Sequence, residues 1–275
     1  MVEGLDDQYA VFGHPVGHSK SPQIHLAFAA QTDQQLSYRA IEAPVDDFAQ
    51  AITDFRTAGG VGCNVTVPFK ADACAMADQL DQQAALAGAV NTLYWDSSEK
   101  LIGCNTDGKG LLRDLQHNLG MTLAGKRILL VGAGGAAAGV IHPLLQALPE
   151  QLVVINRTAS RAEELVQRFS GVADGRFSCA SMDNPGQGFD LVLNATSASL
   201  SGELPDLPAG LFGDDSWAYD LAYADQPTSF LRWAELQGVN HRADGLGMLV
   251  EQAAEAFQLW RGVRPETAAV INQLR

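Results

Sequence analysis

The 275-residue sequence is poor in basic side chains and in charge generally. It has 18 lysines and arginines against 32 aspartates and glutamates, a net charge of -14, and only 18% charged residues. A surface field of this sign repels phosphates, so we expect neither nucleic acid nor an anionic membrane surface as a partner. An anionic ligand would need a local pocket lined by basic side chains or amides.

Cysteine is also scarce, and its spacing is uninformative for metal binding. The four cysteines are Cys63, Cys74, Cys104 and Cys179. They form no CxxC pair and have no histidines at zinc-finger spacing. We therefore expect reduced thiols, no metal site and a cytoplasmic protein.

Leader-like and membrane-spanning segments are missing from the pattern. The start, MVEGLDDQYA, has no basic region followed by an apolar run, so we expect no secretion signal. The longest low-charge stretch begins at Ile128, is broken by glycines and is shorter than the roughly 20 residues that cross a bilayer. It reads as a buried strand leading into a helix.

What the sequence has is a 47% hydrophobic composition, enough for a sizeable core, arranged as alternating strands and helices. Residues 1–106 read as an α/β lobe closed by a hairpin-like pair, AVNTLYW and KLIGCNT. Residues 107–244 repeat strand and helix in a doubly wound, Rossmann-type pattern. We expect residues 245–275 to form two helices, the second opened by Pro265, that return to the first lobe. The predicted fold is thus a two-lobed α/β protein.

A glycine-rich turn follows the strand RILLV. Gly132 and Gly134, with Ala137 in the third position, give a GxGxxA pattern between a strand and a helix. Small residues let the backbone approach a pyrophosphate, and the helix N-terminus offers N–H donors. The alternative is a glycine-rich packing turn without a ligand.

The end of the next strand favours NADP over NAD. The residues there are Asn156, Arg157, Thr158 and Arg161. Two guanidinium groups would pair with a 2′-phosphate, and the acidic residue usual at this point in NAD-binding folds is missing. The alternative is that both arginines are solvated residues at the start of a helix, with or without ion pairs to Glu163 and Glu164.

NVTVPFK predicts a chemical site. Asn64 and Thr66 alternate on a strand and share a face, and Lys70 opens the next helix. The helix dipole and partial burial would lower the pKa of Lys70 and suit it to proton transfer. Asn91 and Asp107 each follow an apolar strand, and Asp107 could pair with Lys70 or simply cap the following helix.

The segment GHSKSP offers two hydroxyls, Ser19 and Ser21, before a helix. Hydroxyls at a helix start can receive a carboxylate together with backbone N–H groups. Considered alone, Ser21 is better explained as the N-cap, with Pro22 as the first helical residue.

Nine segments in one order resemble the shikimate dehydrogenase family along nearly the whole chain. They are HSKSP, NVTVPFK, GAVNT, NTDG, VGAGGAA, INRTASR, NATS, YDLAY and DGLGMLVEQAA. The resemblance implies a substrate lobe built from both chain ends (1–106 with 245–275) and an NADP lobe (107–244), with the active site in a cleft between them. It implies reversible reduction of 3-dehydroshikimate to shikimate with NADPH, in the chorismate route to aromatic amino acids.

The resemblance also implies a role for each matching residue. Ser19, Ser21 and Tyr223 would hold the substrate carboxylate. The residues implied for the ring hydroxyls are Asn64, Thr66, Asn91, Asp107 and Gln252. Lys70 and Asp107 would form the catalytic pair, Lys70 giving a proton to the developing alkoxide as hydride reaches the C3 carbonyl, without a metal.

The residues implied for the cofactor are Gly132, Ala133, Gly134, Gly135 and Ala136 at the pyrophosphate, Asn156, Arg157, Thr158 and Arg161 at the adenosine phosphate, and Leu221 and Gly245 at the nicotinamide. Leu221 replaces the methionine usual in relatives. Ala137 and Ala138 replace a serine and an arginine often found after the glycine turn, and this departure puts one of the implied phosphate contacts in doubt.

Two other functions compete with this prediction. The nearer one is an NAD-dependent dehydrogenase of quinate or shikimate, which the serine pair and the two arginines disfavour. The other is a regulatory protein that kept the fold and lost the chemistry, which the presence of Lys70 and Asp107 disfavours. Either a monomer or a homodimer is compatible with the sequence.

Overall fold

The computed structural model describes residues 6–196, 198 and 202–275 and has a mixed α/β architecture with two six-stranded sheets. The strands are β1 Asp7–Gly13, β2 Leu36–Glu42, β3 Gly60–Val65, β4 Gln79–Leu80, β5 Thr92–Trp95, β6 Leu101–Cys104, β7 Arg127–Val131, β8 Gln151–Ile155, β9 Phe177–Cys179, β10 Phe189–Asn194, β11 Phe212–Asp220 and β12 His241–Asp244. The helices are α1 Ser21–Gln31, α2 Phe48–Thr57, α3 Lys70–Met76, α4 Gln82–Ala87, α5 Asp107–Arg113, α6 Gly135–Gln146, α7 Ala159–Ala173, α8 Ser229–Leu236, α9 Leu246–Arg261 and α10 Ala268–Leu274.

The chain divides into two compact units. The first unit comprises the chain up to Thr106 together with Val250–Leu274, and the second comprises Asp107–Leu249. Among the described residues, no helix is both long and apolar enough to cross a membrane.

The first unit contains a mixed sheet with strand order β2-β1-β3-β5-β6-β4. β1 runs parallel to both β2 and β3, whereas β5 is antiparallel to β3 and to β6. The hairpin-like pair predicted from the sequence is therefore confirmed as β5 and β6. A buried apolar cluster that includes Phe12, Phe55 and Phe69 packs α2 and α3 against this sheet.

The second unit contains a fully parallel sheet with strand order β9-β8-β7-β10-β11-β12. Numbered within the unit, this is the order 3-2-1-4-5-6 of the Rossmann fold. Its central strands β7, β8 and β10 are nearly continuous runs of buried Val, Ile and Leu, as expected for a sheet covered on both faces. The doubly wound pattern predicted from the sequence is confirmed.

The prediction that Pro265 opens the last helix is wrong. α10 begins at Ala268. The residues before it are held outside a helix: the Glu266 N–H donates to the Gln31 side chain, and the Thr267 hydroxyl donates to Glu251 at 2.7 Å. These contacts tie the C-terminal segment to α1 and α9 within the first unit.

Candidate active site

Polar side chains converge at one edge of the first sheet. β1 and β3 are parallel and end side by side, with Phe12 opposite Val65. β5 begins and β6 ends at the same edge, because Thr92 pairs with both Asn64 and Cys104. The segments after β1, after β3, before β5 and after β6 therefore meet, as expected for a ligand site at strand ends.

Ser19 and Ser21 lie in the segment that follows β1. α1 begins at Ser21, and Lys20 occupies the N-cap position. The interpretation of Ser21 as the N-cap is therefore wrong. It is the Ser19 hydroxyl that accepts a helix N–H, from Ser21 at 3.3 Å. The Ser21 side chain is buried next to the sheet edge.

Asn64 is 5% exposed and held on three sides. Its Oδ1 accepts a hydrogen bond from the Tyr38 hydroxyl at 2.7 Å. Its Nδ2 donates to the Asn91 carbonyl oxygen at 3.2 Å and to the Thr92 hydroxyl at 3.1 Å. The amide orientation is thereby fixed, because a backbone carbonyl can only accept. Thr66 follows the end of β3, with its N–H bonded to the Phe12 carbonyl at 2.8 Å.

Asn91 continues the same hydrogen-bond network. Its Nδ2 donates to the Thr106 hydroxyl at 2.9 Å and to Gln252 Oε1 at 3.1 Å. Its Oδ1 accepts from the Thr92 hydroxyl at 2.9 Å and from the Thr106 N–H at 2.9 Å. Asn64, Asn91 and Gln252, three of the predicted ring-hydroxyl ligands, are thus joined in one buried network.

Lys70 and Asp107 are each the first residue of a helix. α3 begins at Lys70, whose carbonyl accepts from the Val90 N–H at 2.9 Å, next to Asn91. Lys70 therefore belongs to the edge of the first sheet. Asp107 is the first residue of α5 and of the second unit, and it is buried. Among the described residues, no group of three or more His, Cys, Asp or Glu side chains could hold a metal ion.

A cluster of aromatic rings packs around Tyr38, the tyrosine that bonds to Asn64. The His25 ring stacks on Tyr38 with centroids 4.3 Å apart, and Trp260 and Phe257 pack beside it. Burial lowers the pKa of His25 from 6.5 to about 3, and the nearby Asn64 side chain opposes only part of that shift. His25 is therefore neutral at physiological pH.

In the second unit a groove of about 840 Å³ lies where the strand order reverses, between β7 and β10. Doubly wound sheets bind nucleotides at this point. Its lining includes Gly132, Ala133, Gly134, Asn156, Arg157 and Arg161. Six of the predicted cofactor residues are therefore brought together here.

The glycine turn has the form that a pyrophosphate requires. Gly132 has φ of +110°, and a Cβ there would lie 3.2 Å from the Ala195 backbone. Gly134 is the N-cap of α6, and a Cβ on it would meet no protein atom within 4 Å. A backbone with free space in front of it at a helix N-terminus fits a phosphate group, so the interpretation as a mere packing turn is disfavoured.

Asn156 and the two arginines follow β8. Asn156 Oδ1 accepts from the Ala133 N–H at 3.2 Å and so links this strand end to the glycine turn. Among the described residues, neither Arg157 nor Arg161 forms an ion pair, so the alternative pairing with Glu163 and Glu164 does not occur. Both guanidinium groups lie at the groove and are available to an anion.

Five predicted cofactor residues do not line this groove. Gly135 and Ala136 lie in the first turn of α6, and Thr158 is the N-cap of α7. Leu221 and Gly245 meet at the ends of β11 and β12, so closely that a Cβ on Gly245 would lie 2.1 Å from the Leu221 carbonyl oxygen. Tyr223, predicted for the substrate carboxylate, also follows β11 and is half-buried.

Some residues of the two sites were not predicted from the sequence. Thr196 lines the groove, with its hydroxyl bonded to Asn194 Oδ1 at 2.8 Å, and the segment NATS was the available signal. Asp183, Glu203 and Asp206 also line the groove, although no carboxylate was expected near the arginines. Tyr38 had no signal beyond its place in an apolar strand.

Comparisons with known proteins show which families the chain is similar to. Three family models match the chain: the shikimate dehydrogenase substrate binding domain at residues 11–93, shikimate / quinate 5-dehydrogenase at residues 114–201, and the shikimate 5'-dehydrogenase C-terminal domain at residues 245–275. A curated protein of Nitrosospira multiformis, named shikimate dehydrogenase (NADP(+)), is 54% identical over 98% of both chains.

Solved structures extend the comparison. An Ael1 enzyme from Pseudomonas putida is 49% identical, covers 98% of both chains and has a TM-score of 0.92. Shikimate 5-dehydrogenase from Thermus thermophilus, solved in complex with NADP(H) and shikimate, is 33% identical over 97% of both chains, with a TM-score of 0.85.

Proposed function

The chain belongs to the shikimate dehydrogenase family, and we propose that it catalyses the reversible, NADPH-dependent reduction of 3-dehydroshikimate to shikimate. This is an NADP-dependent oxidoreductase reaction at a CH–OH group, in the chorismate route to aromatic amino acids. The observation that carries the proposal is the buried amide network at the edge of the first sheet. It joins Asn64, Asn91 and Gln252 beside the two serines and Lys70.

This network suits a small polyhydroxylated acid. Amide side chains both donate and accept hydrogen bonds, so Asn64, Asn91 and Gln252 with Thr66 and Asp107 are assigned to the ring hydroxyls. Ser19 and Ser21 lie at the start of α1, where hydroxyl and backbone N–H donors favour an anion, and are assigned to the carboxylate. Tyr223 is assigned to assist them.

Proton transfer is assigned to Lys70 and Asp107. During reduction, the Lys70 ammonium donates a proton to the oxygen that becomes the new hydroxyl, and in the reverse direction Lys70 Nζ takes it back. Asp107, buried at the start of α5, is assigned to the catalytic pair together with Lys70. General acid–base catalysis of this kind contributes on the order of 100- to 10,000-fold to the rate.

The groove of the second unit fits NADP. When bound, the nicotinamide supplies or accepts the hydride. Gly132 to Ala136 are assigned to the pyrophosphate, and the free space in front of Gly134 is the structural feature that fits it. Asn156, Arg157, Thr158 and Arg161 are assigned to the adenosine phosphate, and Leu221 and Gly245 to the nicotinamide. Arg157 and Arg161 favour NADP over NAD because their charges match a 2′-phosphate.

The same proposal covers the domains and the setting of the protein. Residues 1–106 with 245–275 form the substrate domain, and residues 107–244 form the NADP-binding domain. The protein acts in the cytoplasm on a small molecule, without nucleic acid or membrane partners, as a monomer or homodimer.

The test is an initial-rate assay that follows absorbance of the reduced nicotinamide. Shikimate and quinate are each offered with NADP and with NAD, since one matching family model covers quinate as well as shikimate dehydrogenases. We expect rapid turnover of shikimate with NADP and much slower turnover in the other three pairs. Comparable rates with quinate or NAD would contradict the assignment of substrate or cofactor, and no turnover in any pair would contradict the activity.

A further inference from the structure

We infer that Tyr38, which the sequence patterns did not single out, is a positioning residue for the reaction. Its hydroxyl holds the Asn64 amide so that Asn64 accepts a hydrogen bond from a substrate hydroxyl. The inference rests on the proposed function, because it specifies how one of the substrate-binding side chains selects its ligand.

The hydrogen-bond inventory of Asn64 carries the argument. Its Nδ2 has two hydrogens and two acceptors, the Asn91 carbonyl oxygen and the Thr92 hydroxyl. Its Oδ1 has two lone pairs, and the Tyr38 hydroxyl uses one. The His25 ring lies nearby, but neither of its nitrogens forms a hydrogen bond with a described residue, so the capacity left over is the second lone pair of Oδ1. Asn64 therefore recognises a group that donates, such as a ring hydroxyl, and offers nothing to a keto oxygen at the same place.

Tyr38 is built to stay in place as a donor. It is 6% exposed, and its ring stacks on His25 at an interplanar angle of 5°. Burial and the neighbouring Cys63 thiol raise the pKa of Tyr38 well above its ordinary value, and the Ser21 side chain acts in the opposite direction. Its hydroxyl thus keeps its proton at every working pH.

Tyr38 also lies between two groups of assigned ligands. It donates to Asn64 and neighbours Ser21, which is assigned to the carboxylate. One phenol thereby sets the position of a hydroxyl-binding side chain against a carboxylate-binding one. A rigid supporting contact of this kind determines how well a binding side chain is oriented.

Tyr9 provides a matched control on the neighbouring strand. β1 and β2 place Tyr9 directly opposite Tyr38. Tyr9 is equally buried and stacks on Trp260 at 4.6 Å, but its hydroxyl faces Arg261 instead of a substrate-binding side chain. Tyr38→Phe and Tyr9→Phe each remove one hydroxyl from the same aromatic cluster and keep the ring.

The experiment compares steady-state constants of the two variants with those of the wild type. We expect Tyr38→Phe to raise the KM for shikimate about tenfold, with the KM for NADP changed less than about twofold and kcat changed less than the shikimate KM. Tyr9→Phe should leave the shikimate KM within about twofold. Equal changes in the two variants would overturn the inference, because a merely structural role would affect both.

A double-mutant cycle with Asn64→Ala separates positioning from other effects. If Tyr38 acts through Asn64, Tyr38→Phe should change the shikimate KM by less than about twofold in the Asn64→Ala background. Full additivity would overturn the inference. Urea unfolding of the wild type, the two single variants and the double variant also measures the coupling energy between Tyr38 and Asn64, and it needs no turnover. Wild-type turnover in the four-pair assay tests the proposed function separately, so the two failures are distinguishable.

Discussion

The edge of the first sheet and the groove of the second differ in the groups that line them. At the first edge, buried side chains hold one another: Asn64, Asn91 and Gln252 are linked through Thr92 and Thr106. The groove of the second unit is lined by a glycine turn and by arginines that form no ion pair with the described residues. We infer that the first site is selective for one substrate through its fixed side chains. The second site binds phosphate groups in general, and its arginines discriminate between NADP and NAD by charge.

Removing the assigned proton donor at the first edge should abolish most turnover and leave NADP binding in the second groove unchanged. Lys70→Ala should lower kcat by at least about 100-fold because the proton donor is lost. NADP affinity, measured by titration of the variant, should stay within about threefold of the wild type. Lys100→Ala, which removes an exposed lysine of the same unit, is the control. Equal losses of turnover and of NADP binding would show that Lys70 is misassigned.

A side chain added in the second groove should weaken NADP binding and leave the first edge unchanged. In Gly134→Val, the new side chain takes the free space in front of the turn, so the KM for NADP should rise at least about tenfold. Thermal stability should change little, because a Cβ there meets no protein atom within 4 Å. Gly171→Val, at another open position of the same unit, should leave the NADP KM unchanged. An unaffected NADP KM in Gly134→Val would place the cofactor elsewhere.

A smaller effect is expected from removing one positive charge at the second groove. Arg157→Ala should weaken NADP about tenfold and NAD less than about twofold, because NAD carries no 2′-phosphate to pair with the guanidinium. The two cofactors control for each other in one preparation. Similar losses for both would mean that Arg157 does not contact the 2′-phosphate.

The smallest effect concerns stability under the first edge. The pKa of His25 is lowered by burial to about 3, against 6.5 in the unfolded chain. Between these two pH values the unfolded state therefore binds more protons than the folded state. The contribution of neutral His25 to the free energy of unfolding is fully present above about pH 6.5 and is lost as the pH falls toward 3. Tyr38, the titratable ring stacked on it, stays neutral because its pKa is raised.

Urea unfolding at two pH values measures this effect. Lowering the pH from 7.5 to 5.5 should reduce the wild-type free energy of unfolding by roughly 1 kcal/mol through His25. In His25→Phe, which keeps an aromatic ring in the stack, this pH-dependent loss should be smaller by the same amount. An identical pH dependence in the wild type and in His25→Phe would contradict a buried neutral histidine.

The second groove was the easier site to predict from sequence. The glycine turn, the helix start and the NRTASR segment are local features, each determined by residues within a few positions of one another. Strand, turn and helix in that order already imply a nucleotide site at the turn. The sequence could not give the groove's acidic lining, because Asp183, Glu203 and Asp206 come from segments whose position depends on tertiary packing.

The first edge could be predicted only as a set of residue types. Asn91 and Gln252, which bond to each other, are 161 positions apart, and Asn64 and Asn91 are 27 positions apart. No local pattern shows that these amides bond to one another. Tyr38 was missed for the same reason, since a tyrosine in an apolar strand indicates a core position and not a contact with Asn64. The helix start at Pro265 was wrong because hydrogen bonds from Glu266 and Thr267 to other elements hold that segment outside a helix. The N-cap assignment of Ser21 was wrong by one residue, since α1 already begins at Ser21.

The proposed division of substrate and cofactor recognition between the two sites is tested by crossed kinetics. The KM values for shikimate and for NADP are measured in the wild type, in Asn64→Ala and in Arg157→Ala. We expect Asn64→Ala to raise only the shikimate KM and Arg157→Ala to raise only the NADP KM, each about tenfold or more. If either substitution raised both constants equally, the separation of substrate and cofactor recognition between the two sites would be contradicted.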